Sequence, residues 1–494
     1  MNTTTPVSHG FRFAPLLAPL LAAMVLAGCV TVPPSAVKPA ELPPAHFRET
    51  IPGWTTAQPA EAQDRGEWWK AFADPVLDRL VERAVAGNTS IQESATRLAQ
   101  ARAMVRSASA ELAPQVGLGA GAVRQAGANT ATGTRPSTLV SAGVDLSWEV
   151  DIFGKLAKTR DAAALDADAR AALLQNTRLL VQAEVAQTYL ALRAADTERA
   201  LVRETVTAYN SSLDVTERRY RAGDVAELDV ARVRTELAST EAEAFALDRR
   251  RAELEHALAV LIGEPASGFS LDAGEWTTAL PVIPPGVPAT VLARRPDVSA
   301  AQNGILAAQA RLGVAQAAWF PDLALTASGG FASSELGDLF TRSARAWSIG
   351  ALLALPIFDG GRRQAGVDSA AAQLDTALVG YRAQVLGAFR EVEDQLSALR
   401  LLDEQARAQG RAVDSAARAT LLSDSRYRNG YVSQLELLDA RRSELRNRRA
   451  ALGVKASQYA ATVGLIRALG GGWDAPRKVS DAQDIQLAGA RTAR

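Results

Sequence analysis

Arg219-Tyr220-Arg221-Ala222-Gly223-Asp224-Val225 returns as Arg426-Tyr427-Arg428-Asn429-Gly430-Tyr431-Val432, a displacement of 207 residues. Each copy interrupts a long helical pattern, and glycine most readily takes the left-handed backbone that ends a helix. Gly223 and Gly430 therefore read as helix-ending residues at the tips of two helical hairpins. The same spacing separates Pro114 from Pro321, Gly154-Lys155 from Gly361-Arg362 and Glu184-Val185 from Glu391-Val392. Landmarks at one constant offset across most of a chain mark an internal duplication.

Leading into each tip is a helical pattern without proline, from about Lys155 to Arg221 and from about Arg362 to Arg428, 67 residues in each case. At the helical rise that is roughly 100 Å. Past each tip the chain returns in a shorter helix, about Ala226 to Leu261 and Ser433 to Leu469. Leu247, Leu254 and Leu261, and likewise Leu438, Leu445 and Leu452, recur every seven residues and point to coiled-coil seams. A return helix covers about half of its long partner. The helices preceding the strands, expected from Pro75 to about Leu112 and near Ala289 to Ala318, must cover the rest. Asp74 is the expected N-cap of the first, with Pro75 at the tolerated first helical position.

Between those helices and the long ones the period changes to two. Val116, Leu118, Ala120 and Ala122 alternate with small residues, and Val140, Ala142, Val144, Leu146, Trp148 and Val150 alternate with Ser141, Gly143, Asp145, Ser147 and Glu149. The second repeat gives Leu323, Leu325, Ala327, Gly329 and Phe331, then Trp347, Ile349, Ala351, Leu353 and Leu355. Four strands are expected, about 115–123, 140–150, 322–331 and 346–356, each near the ten residues of a tilted transmembrane strand. Trp319, Phe320, Phe331, Trp347 and Phe358 cluster at their ends, as in the aromatic belts of membrane barrels. A soluble sandwich would also alternate, and a coiled-coil rod would satisfy the helices, so a tube requires the strands to form a barrel.

The chain begins with a different kind of segment. Arg12 precedes an apolar run from Phe13 to Ala27, the length of a signal-peptide core and too short to span a membrane. It ends in Leu26-Ala27-Gly28-Cys29, which resembles the lipobox of bacterial lipoproteins. Cys29 is the single cysteine among 494 residues, so it makes no intramolecular disulfide and is the expected lipidation site, carrying S-diacylglycerol and an N-acyl chain. Val30, rather than Asp, follows it, which favours sorting to the outer membrane. The expected organisation is a signal peptide (1–28), a lipidated tether (29–66), a first repeat (67–262), an equatorial segment (263–288), a second repeat (289–470) and a polar tail (471–494). Prolines at 265, 281, 284, 285 and 288 exclude a continuous helix in the equatorial segment and suggest a collar.

Lys plus Arg and Asp plus Glu number 54 each, which leaves no basic footprint for nucleic acid. Hydrophobic residues make up 48%, yet no later stretch has the apolar length of a membrane helix, so any crossing is made by strands. Four strands cannot close a barrel. Two copies would give eight strands and a filled interior, whereas three give twelve and a lumen.

The lipobox, Trp68-Trp69 with Phe72 and Asp74-Pro75, Arg294-Arg295-Pro296-Asp297-Val298, Phe320-Pro321, Pro356-Ile357-Phe358-Asp359-Gly360-Gly361 and both Arg-Tyr-Arg-x-Gly tips resemble the TolC-type outer-membrane efflux factors, in their NodT/OprM-like lipoprotein subgroup. The resemblance implies an α+β membrane protein, internally duplicated. It would be a homotrimer whose twelve-stranded outer-membrane β-barrel continues into a periplasmic α-helical barrel. Its implied work is passive conduction of drugs or other toxic compounds from an inner-membrane pump, of RND type, through a periplasmic membrane-fusion adaptor to the exterior. It also implies that acids on the return helices ring a periplasmic constriction. Glu436 and Asp439 match those positions by their distance from Gly430, with Asp229 in the first repeat. Tyr427 and Tyr431 are candidates for holding the tip shut, and Arg221, Gly223, Asp224, Arg428 and Gly430 for docking the adaptor. Tyr431 stands where the first repeat has Asp224, so the two tips differ.

No enzyme constellation is visible. His9, His46 and His256 fall in the leader, the tether and a helix, without metal-ligand spacing. Gly117-Leu118-Gly119-Ala120-Gly121 opens no helix that could cradle a phosphate. Neither a cofactor nor a metal is expected beyond the covalent lipid. The competing reading is a structural or adhesive coiled-coil lipoprotein that uses its strands only as an anchor.

Overall fold

Asp74 opens the first helix: its carboxylate accepts the amides of Val76 and Leu77. A short 3-10 turn, Trp68–Phe72, precedes it and buries Trp68, Trp69 and Phe72. The structure is a computed structural model that describes residues 47–49, 66–126, 136–283 and 294–471. Cys29, the leader, most of the tether, the tail from residue 472 and the middle of the first interstrand loop lie outside the described residues.

The single helix expected from Pro75 to about Leu112 is two helices, α1 (Pro75–Gly87) and α2 (Thr89–Ala110). Asn88 separates them. Its side chain accepts the amides of Ser90 and Ile91 as N-cap of α2 and donates 2.8 Å to the carbonyl of Leu261. Strands β1 (Gln115–Gln125) and β2 (Ser137–Val150) follow, then the long helix α3 (Lys155–Arg221) and the return helix α4 (Glu227–Leu261). The second repeat comprises α5 (Pro296–Ala317), β3 (Asp322–Ser333), β4 (Arg345–Ala354), the long helix α6 (Arg362–Arg428) and the return helix α7 (Gln434–Ala468). The three helices α2, α3 and α4 and their counterparts start and stop at the same 207-residue displacement, as Thr89 and Pro296 illustrate.

The duplication reaches individual bonds. Arg295 precedes α5 as Asn88 precedes α2, and it donates to the carbonyl of Ala468, the counterpart of Leu261. In both repeats, therefore, the helix rising to the sheet is fastened to the end of the helix returning from the tip. Gly87 and Gly263 pass so closely at the first junction that a Cβ on Gly263 would strike the Gly87 carbonyl.

The strands form one antiparallel sheet in the order β1-β2-β3-β4. Its register places Val116, Leu118, Ala120, Val144, Leu146, Trp148, Leu325, Ala327, Trp347 and Ile349 on one face. The opposite face carries Gly117, Gly119, Gly121, Ser141, Gly143, Asp145, Ser147, Thr326, Ser328, Gly330, Ser348 and Gly350. One side of the sheet is thus apolar enough for lipid, and the other is mostly small and polar, with Val123, Leu139 and Leu352 as large apolar exceptions. Both edges, β1 and β4, present unpaired backbone groups that lipid could not satisfy.

Helix α3 packs against α2 and α4 and also against α5 and α7, while α6 packs extensively against α5 and α7. The wall therefore alternates pairs of short helices, end to end, with single long ones. Large apolar side chains remain open at the two outer helices, among them Val379 on α6 and Phe245 on α4, 69% and 73% exposed. A curved wall with two open sides and a sheet with two open edges call for further copies of the same chain.

About 50 Å along α3 the wall thickens. Residues 263–283 cross it, and Trp276 packs 4.8 Å from the Tyr459 ring while the Tyr459 hydroxyl donates to the Thr278 carbonyl. Thr278 and Tyr189 both donate to Asp74, at 2.8 and 2.7 Å. Burial, the largest influence on Asp74, raises its pKa, but the Tyr189 and Thr278 hydroxyls and the two capping amides together hold it below its ordinary value. Burial also pushes the Tyr189 hydroxyl up to about 12, so it stays a donor. Deeper in the collar Asp196 receives Arg193, Arg199 and Arg251. Three residues midway along the expected tether are packed too: Phe47 is buried with Val392, Leu396 and Leu465, and the amides of Arg48 and Glu49 donate to Glu393 on α6.

The helical tips as candidate functional site

At both tips the backbone closes in the same way. The Gly223 amide donates to the Tyr220 carbonyl and the Asp224 amide to that of Arg219; Gly430 and Tyr431 repeat the pair on Tyr427 and Arg426. This pair of hydrogen bonds around a left-handed residue requires the φ values of 83° and 75° found at Gly223 and Gly430. Asp224 and Tyr431 share one backbone position, so the tips differ in side chains and not in fold. Arg221 and Arg428 reach back to Glu217 and Asp424, 3.5 and 2.7 Å away, and remain largely exposed. A hydrogen bond from Arg234 pulls the Glu217 pKa down.

Of the acids singled out in the sequence, Asp229 and Glu436 occupy the first turns of the return helices and Asp439 the second turn of α7. Asp229 lies 3.6 Å from Arg232, Glu436 lies 3.7 Å from Arg426, and Asp439 lies 3.4 Å from Arg442. Asp229 and Glu436 are duplicated positions, whereas Asp439 corresponds to Arg232. One helical turn past the shared acid, the first repeat has a cation and the second an anion. Glu436 and Asp439, three residues apart, project from the same side of α7.

The tyrosines behave differently from each other. Tyr431 is exposed, while the Tyr427 ring sits beneath the Arg219 guanidinium at 5.1 Å, a contact worth about 0.5–1 kcal/mol. The Tyr427 hydroxyl and the Gln434 side-chain carbonyl are buried without a hydrogen-bond partner among the described residues. Arg219 thus ties the first hairpin to the second at the tip itself.

Further ties stand above it. Arg441 bonds Ser212 and Asp424, Arg442 bonds Glu236, and Arg449 bonds Glu198 and Glu243. Tyr209, Val233, Leu237 and Leu438 form the apolar packing beneath them. The hydrogen bond from Arg442 to Glu236 raises the arginine's pKa. These residues were not among those singled out by the sequence. Their signal was present, since Glu236 and Glu243 are one heptad apart, as are Arg442 and Arg449.

A duplicated chain with a four-stranded, one-side-apolar sheet, a 67-residue helix descending from each half of it and acid-bearing turns at the far end defines a membrane duct built by several copies. The chain belongs to the outer membrane efflux protein family, whose family model matches residues 80–264 and again 287–471, at the same 207-residue displacement. It is 33% identical over 466 residues to outer membrane protein OprJ of Pseudomonas aeruginosa, covering 93% of this chain and 96% of OprJ. It is 30% identical to the probable outer membrane lipoprotein SilC of Salmonella typhimurium, covering 91% and 97%. The solved outer-membrane channel OprN superposes with a TM-score of 0.78 at 30% identity, over 89% of this chain and all of OprN. The protein is an outer-membrane channel of a tripartite efflux system, a trimer whose twelve strands form one barrel above a helical tube. The reading as a purely structural or adhesive lipoprotein is set aside with this membership.

Proposed function

We propose that the channel receives its cargo, drugs or other toxic small molecules, from an inner-membrane pump of RND type through a periplasmic membrane-fusion adaptor that docks on the six helical tips. The observation that carries this reading is the tip geometry: two identical backbone turns per chain that expose different side chains, Asp224 at one and Tyr431 at the other. An adaptor reading this ring meets an alternation of two sites, with Arg221 and Arg428 as exposed cations beside them. Glu436, Asp439 and Asp229, repeated by the trimer, form the acidic entrance, and Tyr427 and Tyr431 help to hold it closed.

Replacing Gly430 by tryptophan (G430W) forces a side chain onto a backbone at φ 75°. Cross-linking to the adaptor should fall several-fold while trimers survive, because the barrel and collar lie far from the turn. Undiminished cross-linking would remove docking from the tips. We also propose that Cys29 carries the lipid anchor. Metabolic labelling with palmitate should mark the wild-type protein and be absent from C29S; label retained by that variant would place the lipid elsewhere.

A further inference from the structure

Asp145 stands apart from the tips and from the collar. It lies on the small, polar face of the sheet, with Gly117 opposite on β1 and Ser328 opposite on β3, and its side chain is exposed. A Cβ placed on Gly117 would come within 2.8 Å of its carboxylate, so glycine there leaves the acid its room over the strand. Two other acids share this face, Glu149 and Asp322, and both are at the helix-side end, bridged by Lys155 at 2.7 and 2.8 Å. Asp145 has no ion pair with any described residue and is the only charge on this face between the strand ends among the described residues.

We infer that Asp145 is the charge-selecting residue of the β-barrel, a filter separate from the periplasmic tips. This rests on the chain's being an outer-membrane channel, because only in the closed trimer does the polar face become a lumen wall with three such carboxylates at one height. Twelve strands about 4.8 Å apart, tilted by about 40°, enclose a backbone cylinder of roughly 12 Å radius. The facing residues are glycine, serine, alanine and threonine, so the wall is thin and uncharged around each carboxylate. The screening length is about 10 Å at 0.1 M salt and 30 Å at 0.01 M. The three fields therefore overlap at the axis in dilute salt and raise the local concentration of cations over anions.

The test is the reversal potential of the full-length trimer in a planar bilayer under a potassium chloride gradient. Wild type should prefer potassium, more strongly at 0.01 M than at 0.1 M, and D145N should lose roughly half or more of that preference. D145C supplies the control for structure: reaction with an anionic methanethiosulfonate should restore cation preference, and reaction with a cationic one should reverse it. Currents with the same reversal potential in wild type and D145N would overturn the proposal while leaving the channel intact. Failure of both reagents to shift D145C would overturn it equally, since the residue would not face the conduction path. The absence of any current from wild type would count against the channel reading itself and, with it, this inference.

Discussion

Replacing Asp196 by alanine should break the collar. The carboxylate is 2% exposed and receives Arg193, Arg199 and Arg251 at 3.2, 3.5 and 2.7 Å. Removing it leaves the buried Arg193 with no carboxylate partner and takes one of two from Arg199 and Arg251, which keep Asp248 and Glu255; uncompensated buried charge costs about 3–5 kcal/mol. Arg193 would still bond Tyr189 and the Asp272 carbonyl, and Arg251 would still bond Glu255, so the arginines cannot leave without unfastening the 263–283 segment. The expected result is an early proteolytic cut in that segment and a loss of trimers at temperatures the wild type survives. R249A is the comparison, since the Arg249–Glu253 pair is exposed on both sides and such pairs contribute about 0–1 kcal/mol. Equal resistance of D196A and wild type would show that the collar does not depend on this charge cluster.

How far these features could be read without the structure depends on how local their causes are. Strand placement followed from a period of two, and the long helices from proline-free runs ended by glycine; each is set by residues adjacent in sequence. The break at Asn88 was missed although Gly87-Asn88 is a stop followed by a cap. The duplication would have revealed it, because Pro296 starts α5 and its counterpart is Thr89. The collar network was beyond reach. Asp74, Tyr189, Asp196, Arg251 and Thr278 meet only when three helices and a linker converge, and no spacing announces that. At the tips the turns were legible; for the bracing pairs Glu236–Arg442 and Glu243–Arg449 the heptad spacing marked two charged stripes but not which faced which, because they lie in different repeats.

Those bracing pairs give the second large effect. R442E would set a like charge against Glu236, whose side chain is only 13% exposed, and would free Asp439 from its arginine. Packing of Tyr209, Val233, Leu237 and Leu438 beneath the pair still joins the hairpins, so the chain should assemble. What changes is the hold of the second hairpin on the first, which is left to the Arg219–Tyr427 contact at the tip and to the Arg441–Ser212 and Arg449–Glu243 bonds above it. The expected outcome is a several-fold rise in single-channel conductance in planar bilayers. The charge-swapped double variant E236R/R442E should return toward wild type, with a coupling of about 0.5–3 kcal/mol between the sites. E436A/D439A tests the acids directly: it removes both acids of the second return helix's first two turns and leaves the braces in place. It should conduct with less preference for cations than wild type. Wild-type conductance in R442E would exclude the braces as a latch, and a channel that stays shut in both R442E and E436A/D439A would move the gate away from the tips altogether.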